Sequence, residues 1–168
     1  ASVNMKATFW VIGAQVTRFP DVLVEAFKAG HQIGLHTWSH PYLTNLTEEQ
    51  VVAQLVYSAK AVYDVIGVVP QFYRPPYGAI NDNIRQIAAR MGLRSVTWAL
   101  DSADWSYVGT PNMNKVPAAF QSWMNSNLKQ KISLEHDLYH DTAAVVPQAM
   151  DVLIKAGRVV KPLSECIG

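Results

Sequence analysis

Gly30-His31-Gln32-Ile33-Gly34-Leu35-His36-Thr37-Trp38-Ser39-His40 is the stretch on which the fold turns. Residues 33–35 read as a short buried strand, and the polar cluster begins where that strand stops. Ligands of α/β folds sit at the carboxyl ends of strands, so this junction argues for a parallel sheet with a site at its rim. The spacing of His36 and His40 places both imidazoles on one face of a helical turn, within reach of a single metal ion. Two histidines are an incomplete set, because catalytic zinc takes three protein ligands and keeps a fourth position for water.

Outward from this stretch, strand and helix patterns alternate. Residues 7–12 read as a strand closed by Gly13, and residues 20–29 as a helix ending at Gly30, a favoured residue just past a helix end. A helix is expected over 47–66, opened by the capping box Thr47-Glu48-Glu49-Gln50 and stopped by Gly67. A strand at 71–73 runs into Arg74-Pro75-Pro76-Tyr77-Gly78, whose prolines cannot continue a ladder. Further helices are expected at 81–91, 116–128 and 142–156, and further strands at 95–100, 132–134 and 158–160. Repeated βα units of this kind predict a parallel sheet wrapped by helices, open or closed into a barrel.

The chain of 168 residues carries 16% charged residues and a net charge of +1, which describes a globular domain with a substantial core. No basic run is interleaved with aromatic residues, so nucleic acid is not an expected partner. No apolar run approaches the roughly 20 residues that span a bilayer. The opening Ala1-Ser2-Val3-Asn4-Met5-Lys6 has no secretory pattern, although a processed protein would look the same. The single cysteine, Cys166, reads either as a buried free thiol or as half of a disulfide with a partner outside this chain. Asn45-Leu46-Thr47 is a glycosylation sequon, but Thr47 has its capping role regardless of any sugar.

Chemistry-bearing residues follow four successive strands: His36 and His40, then Arg74 to Gly78, then Asp101-Ser102-Ala103-Asp104-Trp105, then Glu135-His136-Asp137. Side chains at the carboxyl ends of parallel strands converge on one mouth. Arg74 precedes two prolines that fix the backbone and is suited to orient a carboxylate through two hydrogen bonds. Gly78 permits the tight turn that would aim the Tyr77 amide inward. Asp101 and Asp104 stand beside an aromatic wall, Trp105, and a carboxylate near an imidazole raises its pKa. His31 reads as structural, and His140 as a surface-loop residue.

In this order the motifs resemble the polysaccharide deacetylase family, the NodB-type family 4 carbohydrate esterases. His-Thr-Trp-Ser-His is similar to its metal-binding motif, Arg-Pro-Pro-Tyr-Gly to its third, Asp-Ser-Ala-Asp-Trp to its fourth and Leu-Glu-His to its fifth. Lys6 to Gly13 resembles the family's second strand, and 132–138 with the Cys166 ending is most similar to fungal chitin deacetylases. The resemblance implies a distorted (β/α) barrel and metal-dependent hydrolysis of acetyl groups on sugar polymers. It makes His36 and His40 ligands of one divalent metal ion, zinc first, with cobalt or nickel also accepted by such a set. It makes His136 the general acid, Asp104 the residue that tunes it, Arg74 the orienter of the catalytic base and the Tyr77 amide an oxyanion donor. Trp105 and Leu134 would line the pocket for the acetyl methyl.

The family's first motif, an Asp-Asp pair that supplies the base and the third ligand, is absent from these residues. A closed barrel without its first strand and helix would expose an edge along 7–12. The expectation is therefore a deacetylase domain, 1–168, whose N-terminal piece is a separate peptide or lies outside this sequence, bridged in one version through Cys166. The expected substrate is chitin or chito-oligosaccharide, ahead of peptidoglycan and acetylxylan, and the expected location is secreted or in the cell wall. Two other readings stand beside it: a carbohydrate-binding pseudoenzyme lacking the base, and a structural βα domain with incidental histidines.

Overall fold

The structure is a computed structural model that describes residues 5–127 and 132–167. It resolves into two compact units, residues 1–97 with 160–168 and residues 98–159.

The first unit is built on a four-stranded sheet in the order β1 (Thr8–Val11), β2 (Gln32–Leu35), β3 (Phe72–Tyr73), β4 (Arg94–Ser95). All three pairings are parallel, with Phe9 opposite Ile33, Leu35 opposite Tyr73 and Tyr73 opposite Ser95. Sequential strands as neighbours, each pair joined by helical segments, are what the βα alternation predicts. Helices α1 (Gly13–Arg18), α2 (Pro20–Lys28), α3 (Glu48–Ile66) and α4 (Asp82–Arg90) connect the strands. The core gathers Leu35 and Tyr73 from the sheet, Leu55 and Val62 from α3 and Ile87 from α4.

Local chemistry sets the helix ends. The Thr47 side chain accepts from the Gln50 amide while the Gln50 side chain accepts from the Thr47 amide, a complete capping box. Gly67 closes α3 in the left-handed conformation, and Asn81 caps α4 by accepting from the Ile84 amide.

The second unit pairs β5 (Leu100–Asp101) in parallel with β6 (Ser133–Leu134) and packs α5 (Lys115–Met124) against α6 (His140–Lys155). Its buried residues include Leu100, Val116, Phe120, Val145 and Leu153.

Several expectations change. Gly13 does not merely end a strand; it opens α1, and its amide and that of Ala14 donate to the Thr37 and Trp38 carbonyls. A Cβ on Gly13 would lie 2.8 Å from Ser58 Cα, so the close approach of α1 to α3 requires glycine there. The strand expected at 95–100 is two short ladders. The Val96 amide donates to Tyr73 and the Ala99 amide to Ile132, and 97–99 form no ladder. Residues 158–160 form no strand; the Val160 carbonyl accepts from the Lys6 amide, and a short α7 (Leu163–Ile167) follows instead. The expected end of the helix at Leu128 falls outside the described residues, and α6 begins at His140, two residues earlier than expected. His140 is thus the exposed first residue of a helix and not part of a loop. Cys166 is exposed on α7, which removes the buried-thiol reading. Among the described residues no helix is long and apolar enough to cross a membrane.

Candidate active site

In the first unit the candidate residues follow β2 and β3, two adjacent parallel strands, so they leave the sheet at the same edge. His36 and His40 come together with their Nε2 atoms 3.1 Å apart and their rings edge to face. They do so without a helical turn, contrary to the spacing argument. Residues 36–40 are not helical, and Thr37 (φ 66°) and His40 (φ 61°) both take the left-handed conformation. Such backbone costs a non-glycine residue on the order of 1 kcal/mol or more and persists only where surroundings impose it. The surroundings are identifiable: Thr37 is fully buried, and its hydroxyl accepts from the His40 amide at 3.1 Å.

His36 Nδ1 lies 2.7 Å from the Arg74 carbonyl, an acceptor only, so Nδ1 carries the proton and Nε2 keeps its lone pair. This is the second-sphere arrangement that fixes a ligating histidine. Two nitrogens bound tetrahedrally to one zinc at about 2.0–2.1 Å would stand roughly 3.3–3.4 Å apart. The observed 3.1 Å is close to that span, as a divalent metal taking a lone pair from each Nε2 would require. The same separation serves a ring-to-ring hydrogen bond when His40 holds its proton on Nε2. Among the described residues no group of three histidine, cysteine or carboxylate side chains forms.

Arg74 is buried, 4% exposed, with its guanidinium 4.6 Å from the centre of the Trp10 ring. Trp10 packs against Gly34, where an added Cβ would come within 2.5 Å of the indole. Tyr77 takes φ 58° and ψ 9°, so the tight turn falls on the tyrosine itself as well as on Gly78. Its ring stacks on Tyr42 at 3.9 Å and meets the edge of His40 at 4.7 Å.

In the second unit the residues of 101–105 divide the work. Asp101 accepts from the Ala103 amide at 2.8 Å and so helps hold Ala103 at φ 53°. The Ser102 hydroxyl donates to the Leu134 carbonyl at 3.1 Å. Asp104 is 1% exposed, and its carboxylate accepts from the Trp105 amide, the His136 amide and His136 Nδ1, at 2.8, 2.7 and 2.8 Å. A buried carboxylate with three donors is a satisfied one. The hydrogen bond that His136 Nδ1 donates to Asp104 raises the His136 pKa above its usual value against the opposing effect of burial, and the charges of Asp104, Asp101 and Asp137 add to the rise. With Nδ1 committed to Asp104, Nε2 is the atom from which His136 gives or takes a proton.

Trp105 is 55% exposed on a short 3₁₀ turn, whereas Asp104 beside it is buried. Leu134 is half-buried in β6. His31 is structural, as expected: its Nδ1 accepts from the Ala7 amide at 3.1 Å, and burial, then Lys6, lower its pKa.

Sequence reasoning passes over Gln54, Trp10 and Tyr42. For Gln54 a signal exists: it falls at helical spacing among Val51, Leu55, Ser58 and Val62, the buried face of α3, where a polar side chain calls for a reason.

Residues 1–96 match the sequence profile of the polysaccharide deacetylase family. The chain is 35% identical over 188 residues to chitin deacetylase 1 of Cryptococcus neoformans var. grubii, covering 98% of this chain and 39% of that protein. It is 34% identical over 165 residues to a peptidoglycan-N-acetylglucosamine deacetylase of Listeria monocytogenes, covering 98% of this chain and 34% of that one. The chain therefore spans no more than about two fifths of the length of these relatives. Its structure superposes on the chitin deacetylase of Colletotrichum lindemuthianum with a TM-score of 0.90 at 21% identity, over 98% of this chain and 76% of that one. That likeness bears out the expected fold class, α/β and a distorted (β/α) barrel by type.

Proposed function

The chain belongs to the polysaccharide deacetylase family, and from that premise we propose that it removes N-acetyl groups from a sugar polymer, chitin or chito-oligosaccharides first. The observation that carries the proposal is the His36–His40 pair, with Nε2 atoms 3.1 Å apart and the His36 tautomer held by the Arg74 carbonyl. Sequence likeness to chitin and peptidoglycan deacetylases supports the substrate class.

In this reading His36 and His40 hold a divalent ion, zinc ahead of cobalt or nickel, through Nε2. Such an ion supplies Lewis acidity toward the acetyl carbonyl and a water of lowered pKa. His136 keeps its proton to higher pH than an ordinary histidine because Asp104 stabilises the imidazolium, and Nε2 delivers it to the leaving nitrogen, as a general acid requires. The Tyr77 backbone amide donates to the developing oxyanion. Arg74 orients the catalytic base, and Trp105 and Leu134 receive the acetyl methyl. Base and third metal ligand are assigned to an Asp-Asp segment of the family type, which the 168 residues do not contain. In this reading that segment is a separate peptide or lies outside this sequence, and Cys166, exposed on α7, is the residue through which a separate peptide would be bridged. A secreted or cell-wall location goes with a polymeric substrate.

The test is acetate release from chito-oligosaccharides, peptidoglycan and acetylxylan by the protein joined to an Asp-Asp segment, before and after chelation and after return of zinc, cobalt or nickel. Release that chelation abolishes and metal restores supports the proposal. No acetate from any acetylated polymer, with metal bound, overturns it.

A further inference from the structure

The His36–His40 turn owes its shape to contacts from two helices. From α1, the Gly13 and Ala14 amides donate to the Thr37 and Trp38 carbonyls at 2.9 and 3.0 Å. From α3, the Gln54 side chain does the rest. Its Oε1 accepts from the Trp38 amide and from the Ser39 amide, each at 2.9 Å, and its Nε2 donates to Ser39 Oγ at 2.9 Å. One carboxamide thus binds three consecutive polar groups of the turn, between two residues in left-handed backbone, Thr37 and His40. The turn makes no helical hydrogen bonds that would otherwise hold the two imidazoles together, and its backbone pays for φ near +60° at both ends.

We infer that Gln54 is the positioning residue of the histidine pair: it clamps the 37–40 turn so that both Nε2 atoms meet at metal-chelating distance before any metal arrives. The inference rests on the reading of His36 and His40 as ligands. The chemistry favours an amide here. Oε1 has two lone pairs for two backbone donors, while the NH₂ can satisfy a hydroxyl, and no charge is brought beside the imidazoles. A glutamate would keep the double acceptor and could receive the Ser39 hydroxyl proton instead. A leucine of similar volume keeps the packing and loses all three bonds.

The experiment uses the protein joined to an Asp-Asp segment, as in the test above, with Zn²⁺ alone as probe, in competition with a chelator. Gln54→Leu is expected to weaken zinc binding about 10- to 100-fold, the range for outer-sphere partners of metal ligands. Gln54→Glu is expected to stay within about threefold of the parent. In the metal-free parent, the Trp38 and Ser39 amides are expected to exchange slowly with solvent, and in Gln54→Leu quickly. Equal zinc affinity in parent and Gln54→Leu overturns the clamp, and so does a loss in Gln54→Glu as large as in Gln54→Leu. If Gln54→Leu does not fold, the parent alone decides, since fast exchange of both amides overturns the proposal. A parent that binds no zinc refutes the ligand reading itself, whereas a zinc-binding parent with an indifferent Gln54→Leu refutes only the clamp.

Discussion

Asp104 holds His136 twice: its carboxylate accepts from the backbone amide at 2.7 Å and from ring Nδ1 at 2.8 Å. One side chain thereby fixes the position, the tautomer and the charge preference of another. Neither bond alone would do all three, because the amide bond leaves the ring free to turn and the ring bond leaves the loop free to shift.

This double hold sets a pH dependence. His136 has a raised pKa in the folded chain, so its stabilisation by Asp104 is fully present below the ordinary value of 6.5 and is lost as pH rises through the raised one. The difference in unfolding free energy between the parent and Asp104→Asn is expected to be largest below pH 6.5 and to narrow above it. Denaturant titrations across pH check this. A difference that widens with pH contradicts the assignment.

The same substitution should move the alkaline limb of acetate release to lower pH, since His136 then loses its proton earlier. A pH profile of kcat on a soluble chito-oligosaccharide measures it. An unmoved limb would remove His136 from proton delivery.

Metal binding and proton delivery should separate by mutation. His36→Ala is expected to lose zinc. His136→Ala is expected to keep zinc and to lose about 10²- to 10⁴-fold in turnover, the worth of general acid catalysis. Zinc content by atomic absorption and rates on the same preparations decide it, and full zinc occupancy in His36→Ala would refute the ligand assignment.

Gly34 should tolerate nothing larger. A Cβ there meets the Trp10 indole at 2.5 Å, and Trp10 in turn underlies the Arg74 guanidinium. Gly34→Ala is expected to cost about 1–3 kcal/mol in urea unfolding, the usual range for an overpacked core. Trp10→Leu in the same chain should recover part of it, and additive losses would show that the two do not interact.

Thr47→Ala removes half of a capping box and should cost about 1 kcal/mol. An unchanged urea midpoint would mean that the start of α3 is held by its packing alone.

The βα alternation is legible in the sequence because each helix carries its own start and stop, such as Thr47 and Gly67 for α3. The division of 95–100 into two ladders is not, since Val96 and Ala99 take partners from strands far away in the chain and no local residue marks the change. The approach of His36 to His40 is legible from their spacing, but the means is not. Left-handed backbone at Thr37 and His40 depends on α1 amides and on Gln54, fourteen residues beyond His40. Asp104 and Trp105 are adjacent, yet one is buried and the other exposed, because the 3₁₀ turn that begins at Asp104 sends neighbours in different directions.

All four non-glycine residues with positive φ among those described (Thr37, His40, Tyr77 and Ala103) lie in the segments that follow β2, β3 and β5. Glycine would relax the backbone at each, but at Thr37 and Tyr77 it would also remove a buried hydroxyl bonded to the His40 amide and a ring stacked on Tyr42. The strain in these turns is thus bound up with their packing, and a thermostable variant is better sought on the outer faces of α2 and α6 than in the turns that leave the sheets.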